Sequence, residues 1–213
     1  MTPDSPTLVL DLDGVILRSN DVKRRAMVRL FADYVDHTGA IDAYVSANAG
    51  VRRDHKVIHI LDRILGLAAD APTVARYLVR YDAELGIELA SVALVPGVET
   101  LLARAGYRFY VCSSAPDEEV RAQLDRRGLA NRFAGVFGAA TPKAEALREI
   151  RQRHPTSSIT FFGDSPLDYE AARTAGVPFV AIVGERDDFA GLPVVRQADF
   201  SDLGALDALD RRQ

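Results

Sequence analysis

The chain has 213 residues, of which 48% are apolar, enough for one large domain or for a domain with a smaller insertion. The formal net charge of −4 argues against general nucleic-acid binding, so any phosphate-binding site must be local. The single cysteine, Cys112, excludes a disulfide within one chain.

The sequence also contains no targeting or membrane segment that we can identify. The start "MTPDSP" lacks the basic and apolar regions of a signal peptide, and no apolar run approaches the length of a membrane span. Together with the lone thiol, these features predict a cytoplasmic protein that binds neither membranes nor nucleic acid.

Four short apolar runs predict β-strands that are covered on both faces. They are "TLVLDL" (7–12), "YRFYVC" (107–112), "ITFFG" (159–163) and "FVAIV" (179–183). Helices are predicted over 97–105, 117–127, 143–153 and 166–175, with a final helix over 207–213. Strands and helices that alternate in this way predict an α/β fold with a doubly wound, Rossmann-like parallel sheet.

A long stretch after the first strand interrupts this alternation. Residues 17–92 contain no strand pattern, and their apolar residues recur at helical spacing. The Pro-Gly pair of "LVPGVE" (94–99) then marks the return to the first pattern. We therefore predict a core domain formed by 1–16 and 93–213, with a small helical domain inserted at 17–92.

Polar residues follow the predicted strands at the edge where open α/β sheets form their ligand crevice. These residues are Asp11, Asp13, Ser113, Ser114, Lys143, Asp164 and Asp168. Several carboxylates in one crevice repel each other, and a hard dication would relieve that repulsion. Oxygen ligands of this kind suit Mg²⁺.

The other groups in this set suit a phosphoryl group. Serine hydroxyls, such as those of Ser113 and Ser114, and the ammonium of Lys143 can bind phosphoryl oxygens. A carboxylate can attack phosphorus and form an aspartyl-phosphate, which divides the transfer into two steps. A second carboxylate two residues along a strand faces the same side. Asp11 is therefore the candidate nucleophile and Asp13 the candidate acid and base.

The motifs "DLDGV", "VCSSAP", Lys143 and "GDSPLD" occur in the order and approximate spacing of one superfamily. The chain resembles the haloacid dehalogenase-like hydrolases over nearly its whole length, in particular the branch of phosphoglycolate phosphatases and β-phosphoglucomutases. That branch carries a small helical cap between the first and second motifs, and most members of the superfamily are Mg²⁺-dependent phosphatases. The dehalogenases lack the second aspartate of the first motif, so the presence of Asp13 disfavours dehalogenation.

This resemblance implies roles for individual residues. Asp11 is implied as the nucleophile and Asp13 as the acid and base, with Mg²⁺ held by the Asp11 side chain, the Asp13 backbone carbonyl and Asp164. Ser113 and Lys143 would hold the phosphoryl group. Asp168 would be either a metal ligand or an acidic residue close to the metal.

Each motif also has a plainer interpretation. Ser113 and Ser114 are well placed to cap the helix that starts near Pro116, and "GDSPLD" is also typical of a turn followed by a helix N-cap. An isolated lysine such as Lys143 is most often a solvated surface residue. The catalytic interpretation depends on all four motifs occurring together at strand ends.

The stretch "NAGVRRDHK" (48–56) of the inserted domain is rich in cations. The resemblance implies that this linker faces the active site and selects the substrate. Arginine suits carboxylate and phosphate groups, so these side chains are candidates for contacting the substrate's leaving group. The candidates are Arg52, Arg53, His55 and Lys56. The alternative is a helix start with solvent-facing charges.

We therefore predict an Mg²⁺-dependent phosphatase that acts on a small phosphate ester. Its substrate is expected to be a sugar phosphate, or else a phosphorylated carboxylic acid such as phosphoglycolate. The main alternative is a sugar-phosphate mutase of the β-phosphoglucomutase type. A signalling receiver domain, which is shorter and lacks a cap, and a non-catalytic phospho-ligand-binding protein are more remote. The sequence is compatible with a monomer or a homodimer.

Overall fold

The computed structural model describes residues 5–184 and 186–202, and these divide into two units. The first unit comprises the described residues up to Arg18 and from Ala93 onward, and the second spans Ser19–Val92. The predicted final helix over 207–213 lies outside the described residues.

A six-stranded parallel sheet forms the centre of the first unit. Its strands are β1 (Thr7–Leu10), β2 (Arg108–Cys112), β3 (Gly135–Phe137), β4 (Ile159–Gly163), β5 (Phe179–Ile182) and β6 (Val195–Gln197). Their spatial order is β3-β2-β1-β4-β5-β6, so the chain winds in one direction from β1 to β3 and in the other from β4 to β6. The predicted doubly wound α/β sheet is confirmed.

The helices are α1 (Asn20–Arg29), α2 (Thr38–Ala47), α3 (Arg53–His59), α4 (Ala71–Ser91), α5 (Val98–Ala103), α6 (Asp117–Arg126), α7 (Lys143–Arg153) and α8 (Pro166–Ala175). Short 3₁₀ segments occupy Val35–His37 and Ala130–Arg132, and a π-helical turn occupies Ile60–Ile64. Among these, α1 to α4 form the second unit, and α5 to α8 belong to the first.

Both faces of the sheet are buried, as its continuous apolar strands predict. Val9, Tyr110, Cys112 and Phe161 pack in one cluster with apolar residues of α7 and α8. The alternate residues of the same strands point to the other face and are buried as well. When both faces of a sheet are covered, the ends of its strands remain accessible. Ligands of such folds bind at the carboxyl ends of the strands.

Two strands were not predicted, and both lie at the edges of the sheet. β3 and β6 are three residues long, and their residues are only partly buried or exposed. Short half-buried segments have no distinctive apolar run, so the sequence signal for them is weak. β1 also ends at Leu10, two residues before the predicted end.

The second unit is entirely helical in its regular structure and has its own apolar core. The long helix α4 contributes five buried residues at helical spacing: Val74, Tyr77, Tyr81, Leu85 and Leu89. Asp70 caps this helix by accepting a hydrogen bond from the backbone N–H of Thr73 at 2.8 Å. The ring of Tyr77 stacks on that of Phe31 at a centroid distance of 4.8 Å.

The boundary between the units lies slightly later than predicted. Leu17 and Arg18 were assigned to the inserted domain, but they belong to the first unit. Leu17 forms β-bridges with Asp13 and Leu94, and the backbone N–H of Arg18 donates to the carbonyl of Ala93 at 2.9 Å. These backbone bonds hold the outgoing and returning chain together.

None of the described helices has the length and apolar character that a membrane span requires.

The only cysteine tests the packing of the central sheet. Cys112 is fully buried on β2, and burial raises the pKa of its thiol to about 12. Because thiolate is the reactive form, a thiol reagent at pH 8 should label Cys112 very slowly in the native protein and rapidly in denaturant. Stoichiometric labelling of the native protein within minutes would show that this part of the core opens readily.

Candidate active site

Asp11 lies at the carboxyl end of β1, in the centre of the sheet. Its backbone N–H donates to the carbonyl of Phe162 at 2.9 Å, which continues the ladder between β1 and β4 by one residue. One carboxylate oxygen, Oδ1, accepts a hydrogen bond from the backbone N–H of Leu12 at 2.7 Å. The residue is buried, so the strand end presents a carboxylate in a fixed orientation and largely out of water.

A tight turn begins at Leu12, directly after Asp11, and includes Asp13. The N–H groups of Ile16 and Leu17 both donate to the carbonyl of Leu12, and Gly14 adopts a φ of +75°. Glycine tolerates this left-handed conformation at little cost. Asp13 therefore lies in a turn and not in the strand, and strand alternation does not explain where its side chain points. Its charge is nonetheless close enough to raise the pKa of Asp11.

Lys143 begins α7 and links two of the carboxylates. Its Nζ lies 3.0 Å from Asp11 Oδ2 and 2.5 Å from Asp168 Oδ1. The side chain of Lys143 is only 12% exposed. It is therefore not the solvated surface lysine of the plainer interpretation, because the fold buries its ammonium between two acids.

Burial and neighbouring charges strongly affect these ionisable groups. Burial raises the pKa of Asp11 to about 7, with Lys143 acting against this rise and Asp168 and Asp13 adding to it. Burial disfavours the charged form of Lys143 as well, but Asp11 and Asp168 outweigh that effect and raise the pKa of the lysine. Lys143 is therefore cationic at neutral pH.

Asp164 and Asp168 follow β4 and differ in their surroundings. Asp164 is partly exposed, whereas Asp168 is 1% exposed. Asp168 and Ser165 form a reciprocal capping box at the start of α8, in which each side chain accepts a hydrogen bond from the backbone N–H of the other residue. The capping interpretation of "GDSPLD" is therefore confirmed.

The three acids Asp11, Asp164 and Asp168 each place an oxygen within 4.8 Å of the others. Lys143 forms ion pairs with two of these acids, Asp11 and Asp168. A set of carboxylate oxygens fits a hard divalent cation and not a soft one. The residues present therefore fit a metal of the Mg²⁺ type.

Ser113 follows β2, the neighbour of β1, and is buried. Its backbone N–H donates to the carbonyl of Phe137 at 2.9 Å, and its Oγ accepts from the N–H of Ala115 at 3.1 Å. This second bond is a local turn contact that precedes α6. The helix itself has Pro116 at its N-cap and no side-chain cap, so the predicted capping role of Ser113 and Ser114 is wrong. Ser114 is partly exposed. The strand register places both serines beyond the carboxyl ends of the strands, on the same side of the sheet as Asp11.

The cationic residues of 48–56 lie in the second unit and have partners there. Arg52 pairs with Asp54, and Lys56 Nζ donates to the carbonyl of Ala49 at 3.0 Å. Arg53 is mostly buried, since its side chain is 14% exposed; it pairs with Asp82 and packs over the ring of Tyr81. His55 is exposed. Arg53 is thus partly a structural residue of its own unit.

Two residues of this site were not predicted from the sequence. Ser165 holds Asp168, and Gly163 gives Asp168 its space, since a Cβ at position 163 would lie 2.4 Å from the Asp168 Cβ. A serine followed three residues later by an acid is a known signature of a capping box, so Ser165 could have been found. The need for glycine at 163 depends on a contact that only the fold creates.

Comparison with known proteins identifies the family. The family model described as "haloacid dehalogenase-like hydrolase" matches residues 6–176. The chain belongs to the haloacid dehalogenase-like hydrolases. The predicted resemblance is therefore confirmed.

Individual relatives agree with this family. The phosphoglycolate phosphatase of Rhodospirillum rubrum is 30% identical over 193 residues, which cover 82% of this chain and 78% of that protein. The phosphoglycolate phosphatase of Synechococcus elongatus is 35% identical over 116 residues, but the match spans only about half of each protein, 51% and 54%. CbbY from Rhodobacter sphaeroides, solved in complex with phosphate, has a TM-score of 0.73 at 21% identity and covers 96% of this chain and 98% of its own. This last likeness concerns the fold.

The close approach at Gly163 predicts a stability effect. Gly163→Ala should lower the free energy of unfolding by about 1–3 kcal/mol, because the new methyl group would collide with Asp168 in a packed interior. Chemical denaturation of both proteins measures the difference.

Gly86 provides a matched control for the same substitution. It lies in the exposed part of α4 with nothing within 4 Å of an added Cβ, so Gly86→Ala should stabilise the protein by about 0.5–1 kcal/mol. If Gly163→Ala were as stabilising as Gly86→Ala, the tight packing against Asp168 would be disproved.

Proposed function

We propose that the protein is an Mg²⁺-dependent phosphatase that hydrolyses a small phosphate ester through a phosphorylated Asp11. The observation that carries this proposal is the buried Asp11 carboxylate at the end of β1, with Lys143 Nζ at 3.0 Å. A carboxylate of fixed orientation beside a permanent cation suits attack on a phosphoryl group whose charge the cation offsets. Membership of the haloacid dehalogenase-like hydrolases supports the same activity.

The first chemical step transfers the phosphoryl group to Asp11. A carboxylate oxygen of Asp11 forms a bond to phosphorus while the bond from phosphorus to the ester oxygen breaks. The carboxylic acid of Asp13 gives its proton to the departing oxygen, which leaves as an alcohol. Lys143 and the hydroxyl groups of Ser113 and Ser114 bind the remaining phosphoryl oxygens.

The second step hydrolyses the aspartyl-phosphate. The Asp13 carboxylate, formed in the first step, removes a proton from a water molecule as the water oxygen attacks phosphorus. The bond between phosphorus and Asp11 breaks, inorganic phosphate leaves, and both aspartates return to their starting states.

The divalent cation would be held by the side chains of Asp11 and Asp164 and by the backbone carbonyl of Asp13. When bound, it offsets the negative charge of the phosphoryl group next to the nucleophile. It also offsets the repulsion from Asp168 and Asp13, which adds to the rise that burial causes in the pKa of Asp11.

The names of the relatives favour one substrate class. Both are phosphoglycolate phosphatases, so we propose a phosphorylated carboxylic acid in preference to the sugar phosphate first expected. Cations of the 48–56 segment are the candidates for binding its carboxylate. Arg52 and His55 are the better candidates, since both are exposed, whereas Arg53 is engaged by Tyr81 and Asp82.

Phosphate release tests the activity directly. Purified protein with Mg²⁺ should release phosphate from phosphoglycolate faster than from a panel of sugar phosphates and nucleotides. Asp11→Asn should abolish this release because an amide is a poor nucleophile. EDTA should also stop the release, and added Mg²⁺ should restore it.

Each part of the proposed mechanism has its own contradicting result. Wild-type turnover by Asp11→Asn would remove Asp11 as the nucleophile, and indifference to EDTA would remove the metal. Movement of phosphate within a sugar phosphate, without release, would identify a mutase.

The role of Asp13 predicts a dependence on the leaving group. Asp13→Asn should slow release from phosphoglycolate by about 100- to 10,000-fold, because the alkoxide needs a proton. With p-nitrophenyl phosphate, whose leaving group needs no proton, the variant should show a burst of p-nitrophenol followed by slow turnover. Equal slowing of the first step for both esters would mean that Asp13 is not the acid.

A further inference from the structure

Asp168 has partners for both of its carboxylate oxygens. Oδ1 lies 2.5 Å from Lys143 Nζ. Oδ2 accepts hydrogen bonds from the Ser165 Oγ at 2.7 Å and from the Ser165 backbone N–H at 3.2 Å. The side chain is 1% exposed. A metal on Oδ1 would come against the ammonium, and one on Oδ2 would compete with two donors of Ser165. Asp11 differs, because among the described residues its Oδ1 accepts only the single backbone N–H of Leu12.

The surroundings also prevent Asp168 from turning towards another partner. Ser165 is buried and accepts a hydrogen bond from the backbone N–H of Asp168 at 3.3 Å, so the two residues hold each other at the first turn of α8. The missing side chain of Gly163 leaves just enough room for the Asp168 Cβ. Asp168 is therefore held in one orientation that faces Lys143.

Lys143 makes its two short ionic contacts with Asp168 and Asp11. An ammonium group carries three N–H donors, so one donor remains for a phosphoryl oxygen. The two carboxylates together determine where that donor points. With Asp168 absent, the ammonium would be restrained by Asp11 alone.

We propose that Asp168 is a positioning residue for Lys143 and not a ligand of the metal, and that Ser165 holds Asp168 in place. This inference rests on the proposed function for the use of Lys143, but it separates Asp168 from the metal-binding Asp164. The proximity of Asp168 to Asp11 and Asp164 reflects its contact with the shared lysine.

Asp168→Asn is the informative variant because it keeps the shape of the side chain. An amide has one acceptor oxygen, whereas Asp168 meets donors on both sides. If the amide oxygen faces Ser165, the amide NH₂ faces the ammonium, and two donors oppose each other. The ammonium then loses its fixed position.

The first experiment measures metal binding without catalysis. The melting temperature is followed during an Mg²⁺ titration, since a ligand that binds the native state stabilises it. Asp168→Asn should keep the Mg²⁺ affinity within about threefold of wild type, whereas Asp164→Asn should lose about 10- to 100-fold. Equal losses in both variants would overturn the proposal.

The second experiment observes the lysine itself. The chain contains only three lysines, Lys23, Lys56 and Lys143. In a Lys23→Arg/Lys56→Arg background, ¹⁵N-lysine NMR should detect a slowly exchanging Lys143 ammonium. Asp168→Asn and Ser165→Ala should remove or broaden that signal. An unchanged signal in Asp168→Asn would overturn the proposal.

Kinetics provide the third measurement. Asp168→Asn should lower kcat/KM by about 100-fold, and Ser165→Ala by about tenfold, as expected when a catalytic group is slightly misplaced. Asp70→Ala, which removes the cap of α4 in the other unit, controls for the general effect of losing a helix cap. Equal effects of Ser165→Ala and Asp70→Ala would reduce Ser165 to a helix cap and overturn its role.

These results distinguish this inference from the proposed function. If the wild-type protein releases no phosphate from any ester, the metal titration and the NMR signal still decide the role of Asp168. If it is a phosphatase and Asp168→Asn loses Mg²⁺, only the present inference fails.

Discussion

The ammonium of Lys143, buried between Asp11 and Asp168, is the interaction on which the candidate site depends. A buried charge is costly unless it is paired and hydrogen-bonded, and here each partner needs the other. Three elements must meet for the pair to form: the end of β1, the start of α7 and the first turn of α8. The central position of β1 in the sheet makes this meeting possible.

The same interaction explains why particular residue types are needed at the positions next to these acids. Asp168 requires Gly163 beside it and Ser165 before it. Asp11 requires the turn at Gly14, which takes the chain away from the sheet and leaves the carboxylate at the strand end. Together these features hold charged groups in a buried place.

The acids of the site differ in their surroundings, and the different tasks proposed for them follow from that difference. Asp11 is buried, and its pKa is raised to about 7 before any cation binds. Asp168 is saturated with donors, whereas Asp164 is partly exposed. Only the environment separates these carboxylates, since their chemistry is the same. A shared sequence motif therefore does not imply a shared role.

The sequence by itself determined the α/β class, the main strands and the helical insertion, because continuous apolar runs and helical spacing are strong local signals. It also indicated the acids and Lys143, because polar residues at strand ends gather at one edge of a parallel sheet. The short edge strands β3 and β6 have no such signal, and the turn that holds Asp13 was read as strand. Which oxygen of Asp168 meets Lys143, and why position 163 is glycine, were decided only by tertiary structure. Both depend on atoms of separate elements that approach within a few ångströms, and no local pattern encodes that distance.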